Sequence, residues 1–484
     1  MPSAEYFTSR WGLLLAVTGI AVGTGNIWRF PRIAANNGGG SFLIPWVIFL
    51  FLWSIPLIMA EFAIGKKTRC GTIGSFSKMM GQRYAWMGGF VGIVAIAIMF
   101  YYSVLAGWCL RYFLTAATGQ LLGRTDHFTD WSNFINSGWQ PIFFHGIATL
   151  LCVLIVSRGV ASGIEKVSRI LIPALLLLII ISAIRAITLP GALEGIKFLF
   201  TPKISELANA EVWIQALTQN AWETGAGWGL IVTYAIYMRR DEDVPLNAAL
   251  IGFGNNSVSL LVGITIFCTV FSLAPSDPTM LLRTAGPANT GLTFIWFPQL
   301  FSEMPGGTFF CIIFFLFLTF AALSSLIAMV ELATRLLIDL KLSRKSALRL
   351  VLGSTFIFGI PSALSVDIFA NQDWVWGMGL IISGLFVALA VNSVGPSKFR
   401  TTWINRSSGI HLGSWYDLIV RYLIPLEALI LIVWWFAQNI KQNPVNWLNP
   451  FSAGSVGTCL AQWGLAIACL LCLNNFIIKR MKHS

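Results

Sequence analysis

Charge is what this sequence has least of. Asp, Glu, Lys and Arg make up 11% of its 484 residues, while 56% are hydrophobic. Soluble domains carry roughly 25% charged residues, so a water-facing surface over most of the chain is excluded. Histidine is scarce as well. The four are His127, His145, His411 and His483, scattered near loops or ends, which argues against an enzyme built on a His/Asp/Glu cluster. No glycine-rich phosphate-binding loop is present, which argues against a pump driven by ATP. No set of repeated filter residues marks a channel. The eight cysteines lie mostly inside apolar stretches. Cys469 and Cys472 have no His or polar partner nearby and read as small apolar helix residues, not a metal or redox pair.

What is present is apolar length. A bilayer-crossing helix needs about 20 mostly apolar residues, and the chain supplies about twelve such runs. They fall near 12–35, 41–65, 86–117, 141–157, 166–187, 211–238, 246–274, 307–338, 347–362, 374–395, 416–438 and 456–478. No separate soluble domain is expected. The first run is a full span without a small-residue cleavage site, so no cleavable signal is expected either. The net charge of +12 is not a nucleic-acid footprint. Lys and Arg cluster in the loops after the even-numbered spans: Lys66, Lys67 and Arg69, then Arg158 to Lys166, Arg239 and Arg240, Lys341 to Arg349, Lys398 to Arg406, and Lys479 to Lys482. That alternation places both termini in the cytoplasm of a cell (inner) membrane.

The stretch Leu15 to Phe30 starts as an apolar helix and then breaks. Gly23, Thr24 and Gly25 sit at the expected midplane depth, followed at once by Asn26 and Arg29. Lipid cannot satisfy bare backbone groups, so an interruption there lines a polar cavity or is buried in protein. Glycine kinking a helix for packing is the plainer alternative, but an Asn and an Arg beside the break are costly unless used. Span 6 has its own break, Glu223-Thr-Gly-Ala-Gly-Trp-Gly229. Spans 1–5 and 6–10 run in opposite senses, and paired interrupted helices in two such halves point to a transporter's binding site.

These residues resemble the neurotransmitter:sodium symporter family, in its prokaryotic type. The marks are Gly19-x-Ala21-Val22-Gly23-x-Gly25-Asn26-x-x-Arg29-Phe30-Pro31, Asn37-Gly38-Gly39-Gly40, Phe42-x-x-Pro45, Tyr101-Tyr102, Trp228-Gly229 and Ala321-x-x-Ser324-Ser325. The resemblance covers spans 1–10 in register and the last two spans less specifically. It implies an all-α integral membrane protein of 12 transmembrane helices. The fold would be a 5+5 inverted repeat (about 11–190 and 205–397) with broken helices 1 and 6, plus extra helices 11 and 12 at 416–478. It implies a sodium-coupled symporter, not an enzyme, importing a small amino acid or similar carboxylate by alternating access. A sensor with a transporter fold is the alternative.

Residue roles follow from the resemblance. One Na⁺ site would use Ala21, Asn26, Glu223 and Asn255. A second would use Gly19, Val22, Ala321, Ser324 and Ser325; ordinary small-residue packing is the alternative for the two serines. One or two Na⁺ are implied. The substrate pocket would be lined by Ile20, Ala21, Gly23, Thr24, Gly25, Ile98, Tyr102, Trp222, Gly225, Trp228, Ser325 and Met329. Gly23 stands where amine-transporting relatives carry Asp, which favours a carboxylate ligand received by the broken helix end. Arg29 and Asp373 resemble one gate pair. Asp339 matches the acid of the opposite gate, but the usual N-terminal Arg position holds Ala4, leaving Arg10 or Arg335 as partner. Glu61 and Glu331 would brace the broken helices.

Two departures stand out. The family usually has Ser or Thr at Glu223, and Ser259 stands where chloride-independent relatives carry an acid. Glu223, with neighbours Gln219 and Ser259, is therefore expected to replace chloride, and would carry a proton back if neutralised as the cation leaves. Direct ligation of Na⁺ or a structural network is the alternative. Trp222 and Trp228 replace smaller residues. They suit a neutral hydrophobic amino acid first, or a betaine-like cation held by cation–π attraction.

Overall fold

The computed structural model describes residues 6–123, 126–273, 278–283 and 290–482; Ala4, Arg124 and His483 lie outside them. Among the described residues ten helices are long and apolar enough to cross a membrane: Gly40–Thr68, Gln82–Ala117, Trp139–Ser157, Val160–Ile187, Val244–Leu273, Gly307–Asp339, Arg344–Leu364, Val366–Val394, Trp415–Gln442 and Val456–Met481. The pair Arg10–Ala21 and Gly25–Asn36, bent by 49°, makes an eleventh. The remaining span is Ala210–Glu223 followed by Leu230–Ala235, whose second half is too short to register by length. In chain order these are spans 1 to 12, as the hydropathy predicts, with bounds shifted by a few residues.

Span 1 breaks because Asn26 competes with the helix. Its Oδ1 accepts the Gly23 N–H at 2.9 Å, and Val22 leaves the helical region at ψ 86°. Span 6 breaks through glycine: Gly225, Gly227 and Gly229 all have positive φ, at 71°, 84° and 76°. That left-handed conformation is unfavourable for other residues. At Gly227 a Cβ would also sit 2.6 Å from the Cα of Gly384 in span 10, so the break is pressed against that helix.

Two buried acids brace this frame. The Glu61 carboxylate accepts the N–H groups of Gly227 (3.1 Å) and Gly229 (2.6 Å), satisfying donors that the broken helix leaves bare. Glu331 braces broken span 6 at its far end and not at the break itself. It accepts from the Tyr237 hydroxyl (2.6 Å) and pairs with Arg344 (2.8 Å), tying the end of span 6 to the start of span 9. Span 3 packs at the centre against spans 8, 4 and 10. Arg111 in it pairs through both nitrogens with Asp130, 2.9 and 3.0 Å, which pins the short helix His127–Asn136.

Candidate functional site

The two breaks face one cavity of about 840 Å³, its mouth included. Span 1 contributes Ile20 to Gly25, apart from Val22, and span 3 contributes Ile98 and Tyr102. Span 6 supplies Trp222 and Trp228, and span 8 supplies Ser325 and Met329. Gly225 was expected in this wall and is not there: Ile20 Cγ2 lies 2.9 Å from where its Cβ would be, so the glycine sits behind Ile20. Trp28, Arg32, Leu105, Thr290 and Phe369 also line the cavity and carried no sequence signal of their own.

The start of the second half of span 1 is shaped for a small anion. Tyr102 Oη lies 3.4 Å from the Thr24 nitrogen and 3.2 Å from its hydroxyl. A Cβ on Gly25 would meet nothing within 4 Å, so its backbone borders open space. A Cβ on Gly23 would lie 3.2 Å from Ser325 Oγ and 3.4 Å from Tyr102 Oη, which leaves little room for a longer side chain. The helix dipole and bare N–H groups at such an end favour negative charge.

Beside it three oxygens crowd together. Asn255 Oδ1 lies 3.0 Å from the Ala21 carbonyl and 3.3 Å from the Glu223 carbonyl. Rotating the Asn255 amide would turn its nitrogen to those carbonyls, yet would also set it 2.8 Å from Asn26 Nδ2, donor against donor. The Asn26 amide is itself fixed, since its oxygen takes the Gly23 N–H and its nitrogen donates to Asn255 (2.8 Å) and Ser259 (2.7 Å). The chain of bonds thus holds acceptors facing acceptors, an arrangement a hard cation relieves. Asn26 was expected as a ligand; its oxygen accepts the Gly23 N–H with one of two lone pairs, and its nitrogen orients Asn255.

Of the residues expected at the second cation site, spans 1 and 8 bring several side by side. Ser325 Oγ donates to the Gly19 carbonyl (3.2 Å), and Ser324 Oγ donates to the Ala321 carbonyl (2.9 Å). A Cβ on Gly19 would fall 3.1 Å from Ser324 Cβ. Val22, buried, ends the same half-helix.

The Glu223 carboxylate lies in a buried nest of donors. Trp46 Nε1 donates to it at 2.5 Å, Gln219 Nε2 at 2.9 Å and Ser259 Oγ at 3.0 Å. Gln219 and Ser259 were expected here; Trp46 was not. Gln219 also accepts from Arg29 Nε at 3.0 Å. Arg29 lies over the Trp222 ring, 4.6 Å from its centroid. One face of that indole is therefore covered by a cation. Arg29 and Asp373 line the same cavity mouth, but among the described residues they make no direct ion pair.

At the other end of the bundle ion pairs and hydrogen bonds tie the elements together. Thr8 donates to Glu165 from its N–H (2.7 Å) and hydroxyl (2.6 Å), and Arg169 pairs with the same carboxylate. Asp339 is held by Arg335 at 3.1 Å and by the Gly71 N–H at 2.6 Å. Arg10 is not its partner; it bonds Asn247 at 3.1 Å and faces Glu242 at 3.8 Å.

A model of the sodium:neurotransmitter symporter family matches residues 4–133 and 136–482. The sequence is 33% identical over 498 aligned positions to an uncharacterized sodium-dependent transporter of Methanocaldococcus jannaschii, covering 99% of this chain and 98% of that one. It is 31% identical to a similarly described transporter of Bacillus subtilis, over 88% of this chain and 96% of the other. The fold matches the crystal structure of MhsT in complex with L-phenylalanine with a TM-score of 0.78 and 31% identity, covering 89% of this chain and 99% of that one.

Proposed function

This chain belongs to the sodium:neurotransmitter symporter family, a family of sodium-coupled membrane transporters and not enzymes, and on that premise we propose that it imports a small neutral, hydrophobic amino acid without needing chloride. The observation that carries the reading is the meeting, in one cavity, of a helix start open to a carboxylate and a set of converging oxygens. The carboxylate of the solute would take the Tyr102–Gly25 end. Na⁺ would be held by Ala21, Asn26, Glu223 and Asn255 at one site, and by Gly19, Val22, Ala321, Ser324 and Ser325 at the other. The positive charge it supplies offsets both the oxygens and the solute carboxylate.

Apolar side chains supply the rest of the pocket. Ile20, Ile98, Met329 and the two indoles suit an aliphatic or aromatic side chain, as in the phenylalanine-bound relative. Glu223 stands in the place of an anion, because three donors already converge on its carboxylate. A fixed negative charge there offsets the desolvation of the cation. Transport then proceeds by alternating access, with both termini cytoplasmic and the Arg29–Asp373 mouth facing outside.

The test is uptake into proteoliposomes, with Na⁺, chloride and pH varied independently and leucine-type amino acids competed against betaine. Accumulation that requires Na⁺, ignores chloride and is blocked by the hydrophobic amino acid is expected. Preference for betaine would overturn the substrate assignment, and binding without accumulation would turn the reading to a sensor.

A further inference from the structure

A second cavity lies on the basic face, at the far end of the bundle from Arg29. Three elements distant in sequence meet there: the end of span 2, the end of span 6 and the segment that follows span 10. It encloses about 1150 Å³, its mouth included, and five of its eight lining residues are cationic: Lys66, Lys67, Arg69, Arg240 and Arg406. None is acidic.

Arg69 is held in place by neutral acceptors. Arg69 adopts a left-handed backbone, φ 54°, just past the span 2 helix. Its Nη1 donates to the carbonyls of Ile236 (2.6 Å) and Met238 (2.5 Å), neutral acceptors that fix the guanidinium and leave its charge. Its Nη2 is buried with no hydrogen-bond partner among the described residues. Lys66 donates to another carbonyl, that of Glu242, at 2.6 Å.

The acids nearby are engaged elsewhere. Asp241 pairs with Arg239 at 2.6 Å, and Glu242 faces Arg10. Asp243 accepts from the Leu246 N–H, the Ser408 hydroxyl and the Gly409 N–H. Among the described residues Lys67, Arg69, Arg240 and Arg406 form no ion pair.

Like charges confined around one hollow repel, and the repulsion is relieved by a shared anion. Arginine matches phosphate oxygens in a bidentate fork, and lysine adds a point charge. We propose that this cavity binds a phosphate group, carried by an anionic lipid headgroup or by a soluble anion, and so bridges spans 2 and 6 to the segment after span 10. Spans 2 and 6 are already joined by Glu61 at the span 6 break. Occupancy of the cavity therefore stabilises the arrangement of these three elements seen in the structure.

The experiment is thermal unfolding of the full chain. In detergent it is titrated with inorganic phosphate; in phosphatidylcholine nanodiscs, with rising phosphatidylglycerol. Three proteins are compared: the natural chain, Arg240→Ala/Arg406→Ala, and Lys345→Ala/Arg349→Ala, which loses the same charge from another basic loop. The natural chain and the control should gain the same stabilisation. At about 1 kcal/mol per basic residue, the cavity variant should need about thirty-fold more ligand. Arg406→Ala alone should need about five-fold more, which keeps the test available should the double variant not fold. Stabilisation by inorganic phosphate assigns a soluble anion, and stabilisation only by phosphatidylglycerol assigns the headgroup. Equal responses of cavity variant and control, or no stabilisation by either ligand, would overturn the site.

Discussion

Replacing Glu223 with Ser removes a buried carboxylate and opens its space. Three donors lose their acceptor at once: Trp46 Nε1, Gln219 Nε2 and Ser259 Oγ. A buried donor left unpaired costs roughly 1–3 kcal/mol, so the empty variant should be destabilised by several kcal/mol. The charge is lost as well. A unit charge within about 6–8 Å of a cation, at an effective dielectric near 20, contributes roughly 2–3 kcal/mol. Sodium affinity without chloride should then fall about thirty- to hundred-fold. Chloride fits the vacated space, accepts from the same three donors and restores the charge. The assay is Na⁺-dependent uptake into proteoliposomes, in chloride and with chloride replaced by gluconate. The natural chain should be indifferent to the replacement, and Glu223→Ser should work only in chloride. Glu223→Gln is the control, because it keeps the volume while turning an amide nitrogen toward donors; it should be impaired in both media. A Glu223→Ser protein that transports equally well in both would refute the assignment of the carboxylate as a resident anion.

Other expectations follow from the same contacts. Ser325→Ala removes the hydroxyl bonded to the Gly19 carbonyl, and Ser324→Ala its neighbour; each should weaken apparent Na⁺ affinity about tenfold in uptake titrations while leaving thermal stability nearly unchanged. Gly377→Ala would place a Cβ 1.7 Å from Trp222 Cζ2, forcing the indole toward the cavity. Its KM for the amino acid should rise more than tenfold, and a variant with normal KM would show that Trp222 has another place to go. Gly12→Ala would set a Cβ 1.9 Å from Glu165 Oε1. That should loosen the Thr8–Glu165–Arg169 lock by about 2 kcal/mol, read as roughly thirty-fold faster hydrogen exchange over residues 6–12.

The spans and both breaks were legible because hydropathy and glycine placement act locally. Asn26 and Arg29 announced the site because polar groups at that depth are costly. What was not legible depends on distant partners. Trp46 is one of 20 tryptophans and lies in an apolar run, so nothing local marks it as a donor to Glu223. Trp222 takes its pose from Gly377, 155 residues away, which alone leaves room for the indole. Gly225 was placed in the pocket wall by its neighbours, but its φ of 71° turns the backbone behind Ile20. Arg335 and Asp339 are one helical turn apart, a pairing that spacing does offer, whereas Arg10 was drawn off by Asn247 and Glu242.

The two breaks differ in what holds them open, and that difference bears on which one moves. Span 6 is interrupted by three left-handed glycines and by a buried carboxylate on their N–H groups, so its break is set by backbone conformation. Span 1 has no positive φ between Ala21 and Gly25. Thr24 is in the right-handed helical region, φ −64° and ψ −24°, while Val22 departs from it. Its break is kept open by side chains: Asn26 on the Gly23 N–H, Tyr102 beside Thr24, and Ser325 on the Gly19 carbonyl. Such bonds contribute roughly 0.5–1.5 kcal/mol each, so the open form of span 1 is close in energy to a straighter one. The groups that make those bonds are the ones a cation and a carboxylate would claim. Ligands therefore exchange directly for the contacts that hold span 1 bent, while span 6 offers a fixed wall, and an ion or solute biases the bend only to the extent that it binds the two forms of span 1 differently.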